Sequence, residues 1–195
     1  MKALVLLHGW GMSPAVFDGL GTRLSTRYEV QPVRLPGYDD GACEPYELER
    51  IARHVAAAAP ERCFVAGWSL GGEIAIAWAR AEPQQIERMA LIATTPCFVQ
   101  RDGWSHAVEA YVLQEFASAL HRDAAGTLKR FAALQAHGDV AAKRVATALR
   151  ACVACSGGDS IPDNRTLQRG LDVLIDTDLR AVLHEIGTEA LVIHG

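Results

Sequence analysis

Strand-like runs alternating with stretches of helical period constrain the fold of this chain more than any other feature. "ALVLLHG" opens the sequence, and "YEVQPVRL", "RCFVAG" and "ERMALIAT" follow at intervals that leave room for one helix each. Runs such as ALVLL and CFVA are short, apolar and stopped by turn residues, which suits strands buried on both faces. Between them, residues 13–26 read as a helix opened by Ser13 and Pro14, 45–59 as an amphipathic helix, and "LGGEIAIAWARA" as a third helix. Strands that alternate with helices at this spacing pair in parallel through crossovers, so an α/β fold is expected. From Trp104 to Leu183 the period becomes helical throughout, in "HAVEAYVLQEFASALH", "AAGTLKRFAALQAH", "VAAKRVATALRACVA", "NRTLQRGLDVLI" and "DLRAVLHEI". A final apolar run, "EALVIHG", then closes the chain. The expected organisation is a sheet core over 1–98, a helical cap over 99–183 and a return to the core over 184–195.

Half of the 195 residues are hydrophobic, enough for one substantial core. A net charge of -4 gives no overall case for nucleic acid or an anionic membrane as partner. The N-terminal apolar run stops at His8, too short for a signal peptide, and no segment reaches the roughly 18–20 apolar residues of a membrane span. A cytoplasmic protein is therefore expected. Cysteines at 43, 63, 97, 152 and 155 are odd in number and scattered, as free thiols are. Cys152 and Cys155 form a CxxC with no second pair, and helix packing is the expected role.

"GWSLGG" places Ser69 between Gly67 and Gly71, after one expected strand and at the start of an expected helix. That is the context in which a G-x-S-x-G pentapeptide presents a nucleophile: the serine sits on a strained turn where neighbouring side chains would clash. The unpaired N–H groups of the helix start then point at whatever bonds to the serine oxygen. "HGWG", residues 8–11, follows the first strand, where an α/β-hydrolase places the loop giving a second oxyanion donor. The amides of Trp10 and Leu70 are the expected pair. His8 is expected to have a structural role in that loop. His54, His106, His121, His137 and His184 fall in helical stretches as surface or packing residues, and His194 ends the last strand.

"LVLLHGWGM", "GWSLGG", "TTPCFVQRDGW", "RFAALQ" and "LQRGLDVLIDTDLR" together resemble the pimeloyl-acyl carrier protein methyl ester carboxylesterases of biotin synthesis, a group of α/β-hydrolases. The likeness covers most of the chain. It implies an α/β-hydrolase fold, a parallel-rich sheet flanked by helices with an inserted helical cap, acting as a monomer without metal or organic cofactor. It also implies Ser69 as nucleophile, Trp10 and Leu70 as oxyanion and substrate contacts, and Phe131, Ala132, Ala133, Leu134 and Gln135 as a substrate-contacting cap segment. Two departures stand out. Arg34 precedes Leu-Pro-Gly where the family commonly has an acidic residue, and the triad acid and histidine are expected beyond Gly195, so the last strands and those two groups are expected to be missing. Loss of a triad histidine costs about a million-fold in turnover, so near-inactivity is expected of these residues alone.

Between His121 and Arg150 the basic residues Arg122, Lys129, Arg130, Lys143, Arg144 and Arg150 outnumber Asp123 and Asp139 by four, leaving the rest of the chain at -8. A basic cap on an acidic body suits an acidic partner, and acyl carrier protein bearing a pimeloyl methyl ester is the one the resemblance implies. Two other readings remain open at this point: an esterase or thioesterase for another acyl group, and a non-catalytic binding protein of hydrolase fold.

Overall fold

The computed structural model describes residues 1–38, 44–153 and 164–194. Its strands are β1 (Lys2–Leu7), β2 (Tyr28–Val33), β3 (Cys63–Trp68), β4 (Ile86–Ile92) and β5 (Glu189–Ile193). All neighbouring pairs are parallel, in the order β2-β1-β3-β4-β5. β1 shows why the sheet is covered on both sides. Val5, Leu6 and Leu7 are all fully buried, and successive residues point to opposite faces. Val5 and Leu7 join the larger core, whereas Leu4 and Leu6 pack with Phe17 and Ala66 on the other face.

Helices α1 (Asp18–Leu24), α2 (Leu48–Ala58) and α3 (Leu70–Ala81) are the crossovers. α2 buries Leu48, Ile51, Ala52, Val55 and Ala56, one stripe at helical spacing. α3 is buried from Leu70 through Ala79, because β1, β3, β4 and α2 surround it. The continuous helix expected over 13–26 is instead a 3-10 turn, Pro14–Phe17, followed by the short α1. Gly19 and Gly21 weaken that segment, and α1 has no buried residue, so packing supplies nothing to extend it.

Among the described residues four α-helices stand between β4 and β5: α4 (Ala110–Arg122), α5 (Ala124–Leu134), α6 (Ala142–Cys152) and α7 (Asn164–Asp176). Asp123 separates α4 from α5 and caps the latter, its carboxylate accepting from the Gly126 N–H at 2.9 Å. Among the described residues this insertion contains isolated bridges but no strand. The expected last helix is a 3-10 segment, Arg180–Glu185, with none of its own side chains buried. His106 and His137 lie outside the helices, and all five histidines expected in helical stretches are exposed. Cys63, Cys97 and Cys152 are free thiols; Cys43 and Cys155, and with the latter the CxxC, lie outside the described residues. No helix among the described residues is long and apolar enough to cross a membrane.

Among the described residues β5 pairs with β4 alone, and its Leu191, Val192 and Ile193 are 61%, 63% and 47% exposed.

Candidate active site

β3 ends at Trp68 and α3 begins at Leu70, so one residue makes the whole turn between them. That residue is Ser69, at φ 55° and ψ -120°, a left-handed conformation that costs a non-glycine residue about 1–3 kcal/mol. Hydrogen bonds hold it there. The Ser69 N–H donates to the Ile92 carbonyl at 3.0 Å, and its own carbonyl accepts from Gly72 N (2.8 Å), Glu73 N (3.3 Å) and Thr94 Oγ1 (2.8 Å). The flanking glycines are required by close backbone contacts. A Cβ at Gly67 would run into the Gly71 carbonyl, and one at Gly71 into the Leu7 carbonyl. Ser69 itself remains partly exposed.

The loop after β1 lies against this turn. A Cβ at Gly9 would sit 3.3 Å from the Ser69 Cβ, which brings the Gly9–Trp10 backbone beside the serine. Leu70, at the first position of α3, flanks it on the other side of the chain. Buried side chains fix the loop. Leu35 N–H donates to His8 Nε2 at 3.2 Å, so the His8 proton is on Nδ1, which faces the Gly9 carbonyl at 2.9 Å. Burial pushes the His8 pKa down to about 4; the bond to Gly9 opposes this, and Arg34 adds to it. His8 is thus a neutral structural residue, as expected. Tyr38 Oη accepts from the Gly11 N–H at 2.8 Å, and burial raises its hydroxyl pKa. Arg34, the departure noted above, donates to the Tyr38 carbonyl at 3.4 Å; the acidic pair that follows Tyr38 lies outside the described residues.

The inserted helices close over Trp10. Its indole Nε1 donates to the Leu167 carbonyl of α7 at 2.8 Å. Its ring meets Phe131 and Phe116 edge-on, with centroids 5.2 and 5.5 Å apart. Of the segment expected to contact substrate, Phe131 stands at Trp10, Ala132 is buried in the core, Ala133 is half-buried, and Leu134 and Gln135 face solvent. Phe116 and α7 are additions the sequence reading missed. Phe116 follows Val112 by four residues and precedes Leu120 by four, so the apolar stripe of α4 could have drawn attention to it.

Glu73, in the first turn of α3, is fully buried, and neither carboxyl oxygen has a hydrogen-bond partner among the described residues. Burial raises its pKa well above the usual carboxylate range. The six basic residues singled out in the sequence are all exposed. They lie on α4, α5 and α6, which pack in succession, and Arg130 donates to Thr127 Oγ1 at 2.9 Å. Among the described residues no cluster of three or more metal-ligating side chains is present.

The family model described as "Alpha/beta hydrolase family" matches residues 4–194. The chain belongs to that family. Pimeloyl-[acyl-carrier protein] methyl ester esterase of Nitrosomonas europaea is 39% identical over 98% of this chain and 75% of that protein. The protein of the same name from Aromatoleum aromaticum is 37% identical over 98% of this chain and 78% of its own length. This α/β hydrolase also matches an esterase structure from Exiguobacterium antarcticum with a TM-score of 0.86 at 20% identity, covering 100% of this chain and 74% of that one. An enol-lactonase from Burkholderia xenovorans matches with a TM-score of 0.79 at 20% identity, over 98% of this chain and 71% of that one. The two structural matches establish the hydrolase fold.

Glu73 gives the site a pH signature. Its folded-state pKa lies above its unfolded value, so its contribution to stability is complete below the unfolded pKa and is lost as pH rises through the folded one. Between about pH 5 and pH 8 the melting temperature will fall more steeply for the wild type than for Glu73→Gln, as read by thermal scans at each pH.

Proposed function

We propose that this chain carries the nucleophile, the oxyanion pocket and the carrier-facing surface of a pimeloyl-[acyl-carrier protein] methyl ester esterase. The strained Ser69, packed between the Gly9–Trp10 loop and the start of α3, is the observation that carries the reading. The relatives' shared name supplies the substrate. Ser69 Oγ attacks the methyl ester carbonyl, and the developing alkoxide accepts hydrogen bonds from the Trp10 and Leu70 amides. Methanol departs as the acyl-enzyme forms, and water then releases the free carboxylate. No residue of this chain is assigned as general base or as the acid that orients it.

Of the segment Phe131–Gln135, Phe131, which stands against Trp10, contributes the wall along which the acyl chain lies, on a cap spanning about 99–183. Arg122, Lys129, Arg130, Lys143, Arg144 and Arg150 face the acidic carrier protein. The enzyme works as a cytoplasmic monomer in biotin synthesis, with neither metal nor organic cofactor. A purely binding role has no use for a serine held at a cost of about 1–3 kcal/mol.

In a preparation that hydrolyses a small methyl ester, a fluorophosphonate probe followed by mass mapping will modify Ser69, and Ser69→Ala will abolish both the labelling and the hydrolysis. Hydrolysis that continues with Ser69 unlabelled would defeat the esterase reading. In the same active preparation, Arg130→Glu with Lys143→Glu will weaken turnover of the carrier-linked ester far more than that of a small free methyl ester. Equal losses on both substrates would show that the patch serves only solvation.

A further inference from the structure

The two segments that join the inserted helices to the sheet are fastened to one another. The outgoing stem leaves β4 through Ala93, at φ 44°, and Thr94, whose hydroxyl holds the Ser69 carbonyl. It runs to Trp104, whose indole Nε1 donates to the Cys97 carbonyl at 2.9 Å. The returning stem begins where α7 ends, and Leu179 N–H donates to the Pro96 carbonyl at 2.7 Å. Two arginines complete the fastening. Arg101 Nη2 donates to the carbonyls of Ile175 (2.7 Å) and Asp176 (3.2 Å), the last two residues of α7. Arg180 grips Asp178 through Nε and Nη2 at 2.9 and 2.8 Å, donates through Nη1 to the Asp102 carbonyl at 3.0 Å, and lies over the Trp104 ring.

The Arg101 contact is a helix cap. The final carbonyls of an α-helix have no partner inside it, and a cation there also meets the negative end of the helix dipole. Arg101 thereby sets how far along its own axis α7 sits. That axial position reaches the active site, because the same helix holds Trp10 at its other half. Leu167 accepts the indole proton, and Gly170 lets the ring lie so close that a Cβ there would fall 2.7 Å from Trp10 Cδ1. Eight residues separate Leu167 from Ile175, about 12 Å of rigid helix. A one-sided slip of α7 must carry the indole with it or break that bond.

We infer that Arg101 is a positioning residue for the reaction: by capping the C-terminus of α7 it fixes the Trp10 side chain, and so the neighbouring amide that receives the oxyanion. The inference rests on the esterase reading for the meaning of that amide, but not for the mechanical link. Arg101 acts through α7, and its guanidinium is partly exposed, with the Asp178 carboxylate 3.9 Å from Nε.

The test compares Arg101→Met, Arg101→Lys and, as a control, Arg80→Met, which removes the surface pair between Arg80 and Glu185 (2.9 Å). Two quantities are read on the full chain: the indole N–H resonance of Trp10, and the rate of Ser69 labelling by a fluorophosphonate. The Met variant will move the Trp10 resonance and slow labelling by about 10- to 100-fold, the scale of loss that a displacement near 1 Å brings. The Lys variant, which keeps a donor but not the fork, will fall between it and the wild type, and the control will match the wild type. Labelling of the folded Met variant at the wild-type rate overturns the inference, whatever the resonance does. If the Met variant does not fold, the Lys variant decides by the same two readings. Should the unsubstituted chain not label, the Trp10 resonance alone decides whether Arg101 positions the indole, and an unmoved resonance in the folded Met variant overturns the inference.

Discussion

One backbone junction, the single residue between β3 and α3, sets the terms for the rest of this structure. To reverse direction there the chain must put a serine in a left-handed conformation, and nothing in the serine favours that. The conformation is held from outside: the edge of β4 takes the Ser69 N–H, the first turn of α3 and Thr94 take its carbonyl, and the close approach of Gly67 to Gly71 leaves room for no side chain. The parallel sheet must therefore form before the site can exist, since β1, β3 and β4 each supply part of the clamp. Ser69 stays partly exposed although its backbone is locked in this way.

The Gly9–Trp10 loop depends on a different set of contacts, drawn both from the residues after β1 and β2 and from the insertion. His8 and Tyr38 hold the loop from below through buried bonds to Leu35 and Gly11, and α7 with the two phenylalanines holds Trp10 from above. The loop also meets α6, where Ser13 N–H donates to the Cys152 carbonyl at 2.8 Å. Sheet and insertion thus meet at Trp10, beside Ser69. The motifs that resemble the esterase group outside the serine pentapeptide acquire a physical meaning here: "PCFVQRDGW" and "LIDTDLR" are the two halves of the stem fastening, and "RFAALQ" includes the phenylalanine against Trp10.

Much of this was legible in the residue order. The strand and helix sequence, the helical insertion, the strained serine with its glycines and the structural role of His8 all follow from local pattern, because backbone sterics and periodic burial act over a few residues. The same local reasoning extended the helix after Ser13 too far and made a helix of Arg180–Glu185. In both places hydrophobic spacing looked helical, but the folded protein gave the segment little to pack against.

The sequence by itself determined the class of fold, the glycine-flanked serine turn and the family to which the chain belongs, since each is encoded by residue type at short spacing. Only the tertiary structure decided that Trp10 would bond to Leu167, 157 residues away, that Gly170 would make room for the indole, and that Arg101 would cap α7. It also decided that Glu73 would be sealed in without a hydrogen-bond partner among the described residues, although a glutamate in a first helical turn ordinarily faces water. The physical reason is the same in each case. These contacts join segments whose meeting depends on how the insertion settles on the sheet, and no periodicity within either segment specifies that geometry.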